Sequence, residues 1–224
     1  MENRIIRLEE RIDLLERLVY RAFDFLSIES NRASYYEFIT DELVRRQLEL
    51  DFIMMNKSPI SDFHSYCQYA LFQFENLLNY YFTLRFKDND SNFRKYFGID
   101  DEENAKKRVS EIPYGSKFLK FAKEFLMGDK GPTQLNHSIQ HIAYVRHSTI
   151  HRNSIDIDTY ENEILDAYVK INNINPSDRT KEQKALFSLG IKIDFKKKRN
   201  FDKVSKTTIE FINVIRPKIC DLQI

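Results

Sequence analysis

Four of the five histidines in this chain fall between positions 137 and 151, with one arginine, Arg146, among them. Imidazole moves protons near neutral pH, and guanidinium holds the charge of phosphoryl oxygens. His137 and His141 are spaced i, i+4, as are His147 and His151, so on a helix each pair shares a face and invites a metal. Against that reading, no Asp, Glu or Cys lies between Thr133 and Ile155 to complete a coordination sphere. A second reading leaves the histidines as surface or partly buried residues without a task. The third starts from Arg146. Leu135, Ile139, Ile142 and Ile150 mark the apolar stripe of the helix, and Arg146 sits on that stripe four residues after Ile142. An arginine there must meet an acid, a phosphate or a partner surface. His151 follows five residues later, about 140° around an ideal helix, so one straight helix does not aim both groups at one point. Either the helix breaks near Ser148 and Thr149, or the groups converge across two chains. Arginine with histidine and no metal suits the cleavage of a phosphodiester.

The elements that would position these residues read as helices throughout. Residues 1–27 carry Ile5, Leu8, Ile12, Leu15, Val19, Ala22 and Leu26 at alternating gaps of three and four, a heptad seam flanked by Arg and Glu. A second helix is predicted over about 35–55 and is stopped by Lys57-Ser58-Pro59. Ser61 or Asp62 caps a third that runs to about Phe86. Residues 88–112 are acidic and weakly periodic, and read as a surface insertion or loop. Further helices are predicted at about 116–127, 134–150 (with Thr133 as cap), 160–171, 180–189 and 201–220. Ile191-Lys192-Ile193-Asp194-Phe195 alternates and reads as a stray strand. Two units are expected, an N-terminal helical extension over 1–57 and a helical domain over 58–224.

Composition supports this class and excludes others. Of 224 residues, 42% are hydrophobic and 31% charged, which fits a folded globular chain. Five glycines are too few for the tight turns of a β-sandwich or barrel, and their placement allows neither a GxGxxG nor a GxxxxGK[ST] loop. Cys67 and Cys220 form no CxxC pair and suit a reducing cytoplasm. No run approaches the roughly 18 apolar residues of a membrane helix, and the charged start is unlike a signal peptide. The net charge of +1 hides an asymmetry: residues 179–206 hold 10 bases against 3 acids, including Lys196-Lys197-Lys198-Arg199. That run reads either as a solvated face or as a phosphate-attracting patch.

Arg146-His147-Ser148-Thr149-Ile150-His151 resembles the Rx4–6H motif of the HEPN superfamily, in which Asn, Asp or His typically follows the arginine. The polar continuation Arg152-Asn153-Ser154-Ile155-Asp156 is similar to that of many members, with Ser154 where a glycine is common. The helix Phe72–Phe82 resembles the first core helix of such domains, so the resemblance covers roughly 61–175. It implies a HEPN-like helical bundle that dimerises and joins Arg and His of both protomers in one cleft. It further implies a metal-independent endoribonuclease of toxin or anti-phage type, or else a member that only binds RNA or a partner. On that resemblance Arg146, His151 and His147 are the expected catalytic residues. Arg152 and Asn153 are expected to bind substrate, together with Lys197 and Lys198 of the basic run. RNA is the expected substrate, a homodimer the expected state, and an operon-encoded antitoxin or defence protein a further partner; no cofactor or metal is expected.

Overall fold

The computed structural model describes residues 35–59, 61–87, 90–99, 108–129, 131–150 and 157–223. The heptad segment and the positions His151, Arg152 and Asn153 lie outside the described residues. The described chain is all-α: helices α1 (Glu42–Lys57), α2 (Phe63–Arg85), α3 (Asp90–Phe97), α4 (Tyr114–Phe125), α5 (Gln134–Ile150), α6 (Ile157–Asn172), α7 (Lys181–Lys198) and α8 (Phe201–Cys220). Among the described residues a single antiparallel ladder, β1 (Met127–Gly128) on β2 (Gly131–Pro132), closes the hairpin between α4 and α5.

The helices begin where side chains can satisfy free backbone N–H groups. Asp41 accepts from Leu43 and Val44 N–H, Asp62 from Ser65 N–H, and Asn200 from Lys203 N–H. Thr180 and Gln183 form a reciprocal capping box at the start of α7. Asn136 N–H reaches the Thr133 hydroxyl at 3.4 Å, as the sequence predicts.

The long helix α2, about 34 Å at 1.5 Å per residue, is the axis of the bundle. It packs α1 on one side and α5, α8 and α4 on others. Its Phe74 meets Phe211 of α8 at 4.9 Å, and Phe211 also meets Phe121 of α4 at 5.6 Å. Burying side chains of this size is worth roughly 1.5–3 kcal/mol each. From Tyr36 onward the segment before residue 58 shares this core: Leu48, Phe52 and Met55 belong to the same buried cluster, and the Tyr36 hydroxyl donates to Gln73 Oε1 at 2.5 Å.

Two sequence expectations fail for physical reasons. The strand at 191–195 is the C-terminal half of α7. Because α7 packs between α6 and α5, it buries residues on two faces, and the sum of two buried faces imitates a period of two. Nor is 88–112 simply a loop. Phe93, Tyr96 and Phe97 of α3 seat themselves on Phe82 and Phe86, with Phe97 at 5.2 Å from Phe82. Eight residues are too few to show a period, yet enough to bury one aromatic side.

Candidate functional site

Arg146 stands near the end of α5, directly after buried Val145 and on the side turned to α2. Its backbone carbonyl faces the ring of His64 in the first turn of α2, Nε2 to O at 3.4 Å. Its guanidinium lies over the ring of Phe72, two turns further along the same helix, at 5.7 Å from the centroid. The side chain is half-buried, and among the described residues it forms no ion pair. An aromatic face is a weak partner for a cation, worth about 0.5–2 kcal/mol, and leaves the N–H groups of the fork available.

Below Phe72 the site is polar. Lys117 of α4 has a fully buried side chain. Its Nζ donates to Asn79 Oδ1 and, at 3.4 Å, to the Val109 carbonyl, and it stands 3.9 Å from Glu75. Burial pushes the Lys117 ammonium below the usual lysine range, and Glu75 opposes that displacement. The Tyr114 hydroxyl is buried with no hydrogen-bond partner among the described residues. Burial pushes its phenol up, the Glu75 carboxylate adds to that, and Arg146 works against it. Glu75, Tyr114 and Arg146 thus share one electrostatic neighbourhood.

An open groove of about 510 Å³ runs between α1 and α2 past the same Phe72 and Glu75. Asp51 in its floor accepts from Gln47 and Asn76, each at 2.9 Å, while burial holds its carboxyl above the ordinary range. Among the described residues the lining carries Asp51 and Glu75 and no base, so this side repels phosphate.

His147 is exposed beside Arg146 on α5. His137 and His141, which the sequence pairs on one face, have different surroundings: His137 is exposed, while His141 is buried beside Phe195 of α7 at 5.6 Å between ring centroids. Among the described residues no group of three or more His, Cys, Asp and Glu side chains is arranged to hold a metal. Lys197 and Lys198 end α7, and their partners are Asn162 of α6 and Asp194 of α7 (2.8 Å), not residues of α5. His64 and Tyr114 are not visible as neighbours of Arg146 in the sequence, since 82 and 32 positions separate them from it, and Lys117 is likewise not visible as the partner of Asn79 and Glu75.

Set against protein-family models, curated proteins and solved structures, the chain matches none. Fold and site together define an all-α chain in which an arginine without an acid partner, among the described residues, closes the end of a central helix pair. No described helix is long and apolar enough to cross a membrane.

Proposed function

We propose that this chain is a metal-independent endoribonuclease of HEPN type, acting as a toxin or anti-phage effector. One observation carries the reading: Arg146 is half-buried on an aromatic face, has no carboxylate partner among the described residues, and adjoins an exposed histidine. A guanidinium kept free of acids is prepared for an anion that arrives from outside.

In the proposed reaction His151 of one protomer takes the proton of a ribose 2′-hydroxyl. The 2′-oxygen forms a bond to the adjacent phosphorus, and Arg146 stabilises the charge on the phosphorane oxygens. The bond from phosphorus to the 5′-oxygen breaks, and the partner's histidine, His151 or His147, protonates the leaving oxygen. The products are a 2′,3′-cyclic phosphate and a free 5′-hydroxyl. DNA lacks the attacking group and stays intact.

The second reading is a helical interaction module without catalysis. The exposed Leu43, Leu50 and Met54 on α1 support it, since large apolar side chains gathered on one element mark contact surfaces. The deciding assay incubates purified protein with mixed RNA in EDTA. Cleavage leaving cyclic phosphate ends, reduced about 100-fold or more in Arg146→Ala, is expected. Cleavage abolished by EDTA and restored by Mg²⁺ overturns the mechanism. Intact RNA at every pH favours the module.

A further inference from the structure

At the corner where α7 turns into α8, two basic side chains, His141 and Lys203, pack against one aromatic ring, and the neighbouring carboxylate Asp194 is paired with Lys198. Phe195 near the end of α7 contacts the His141 ring at 5.6 Å, and Lys203 of α8 holds its Nζ 5.6 Å from the centre of the same phenyl ring. The geometry has a local cause. Arg199 takes a left-handed conformation (φ 47°) and Asn200 caps the next helix, so eight residues suffice to bring Lys203 back beside Phe195. Lys192 precedes Phe195 by three positions on α7, and His137 precedes His141 by one turn on α5. Neither Lys192 nor Lys203 has an ion-pair partner among the described residues.

His141 is the unusual member. It is only 9% exposed, and its Nδ1 is buried with no hydrogen-bond partner among the described residues. A buried ring nitrogen left without a partner costs free energy, and that cost recurs wherever a ligand has been left out. Burial keeps the imidazole neutral, with a midpoint lowered to about 4, and the positive charges of Lys203, His137 and Lys192 push it the same way. These come from all three helices that meet here: α5 contributes His137, α7 contributes Lys192, and α8 contributes Lys203. The charges of Lys203, His137 and Lys192 all disfavour a protonated ring, and an arriving anion opposes them.

We propose that His141, Lys192 and Lys203, with His137 at the rim, form a phosphate-binding site distinct from the cleft edge at Arg146. The site recognises the phosphate group itself, as a free ion or as part of a polynucleotide backbone. It goes beyond the nuclease reading and stands or falls without it.

The test follows the imidazole by proton NMR on the full chain. Inorganic phosphate is titrated in at fixed ionic strength, with chloride as the matched control. Bound phosphate that favours protonated His141 tenfold over neutral His141 raises its midpoint by about one unit. That displacement is expected with phosphate and not with chloride. It is expected to disappear in Lys192→Met/Lys203→Met, two half-buried surface positions whose change leaves the core intact, as a thermal melt would verify. A parallel titration uses a short RNA without terminal phosphates. A shift with RNA at lower concentration than with inorganic phosphate assigns the site to the backbone; a shift with inorganic phosphate alone assigns it to a free ion. An unmoved His141 signal, an equal effect of chloride, or an undiminished shift in the double variant overturns the proposal. None of these readouts requires cleavage, so an inactive nuclease leaves them unaffected.

Discussion

At Arg146 the α5 stripe gives up an apolar position for a cation, and the cost is reduced by the Phe72 ring and not by an acid. At His141 the same helix makes the opposite choice and holds a titratable ring in its neutral form. The folded midpoint near 4 lies below the ordinary 6.5, so as pH falls the unfolded chain takes up a proton first. The contribution of the neutral ring is therefore complete above about pH 6.5 and is lost progressively down to about pH 4. Over that window the loss amounts to about 3 kcal/mol at most. In phosphate-free buffer, urea unfolding of the wild type should show stability declining between pH 6.5 and 4, and His141→Gln should show a visibly flatter profile. Parallel profiles would remove His141 as the cause. Lys117 makes a complementary case. Its ammonium is fully buried but bonded to Asn79 and Val109, so Lys117→Ala, which leaves those acceptors without a donor, should cost about 3 kcal/mol or more. Lys117→Met keeps the volume and should cost clearly less, a comparison read by denaturant midpoints.

Helices α6 and α7 show what an element demands of one position. A methyl group at Gly190 would come within 2.4 Å of Tyr168 Cβ, so the two helices touch where α7 has no side chain. Gly190→Ala gains helix propensity of about 1 kcal/mol, yet it must push the hairpin apart at a cost of roughly 1–3 kcal/mol. A net fall in melting temperature is expected, and a rise would mean that the hairpin yields at no cost. The glycine also explains an error of reading. Gly190 looks like the end of a helix, and the alternation after it looks like a strand, but the true stop is Arg199 in its left-handed cap. Helices α1, α2, α5 and α8 were legible because their stripes are long, and the caps of α2 and α5, Asp62 and Thr133, sit in plain view. Helix α3 was not, since its aromatics gain meaning only against Phe82 and Phe86. For the site, Arg146 stood out as a charged residue on an apolar stripe. Tyr114 and His64 reach it from other helices, and no spacing along one helix could reveal a neighbour from the next.

At the scale of the whole molecule the question is how many chains would make the proposed cleft. On an ideal helix Arg146 and the position of His151 are about 140° apart, which one protomer does not easily reconcile, whereas a two-fold axis brings two copies of each together. The groove beside Phe72 is lined by Asp51 and Glu75 and, among the described residues, by no base, so it disfavours a phosphate on that side. A shared cleft needs both chains intact, and this separates it from two independent sites. Wild-type protein is mixed with Arg146→Ala/His151→Ala protein through unfolding and refolding, so that subunits pair at random. Independent sites lose activity in proportion to the wild-type fraction, retaining about one half at equal mixing. If one cleft is built by two chains, only wild-type pairs cleave, and about one quarter of the activity remains. The comparison holds for a dimer that persists at assay concentration, which light scattering at that concentration verifies. The quadratic dependence is the expected result. A linear one would rule out the shared cleft even with Arg146 and His151 each essential, and would require the end of α5 to bend far enough for a single chain to bring them together.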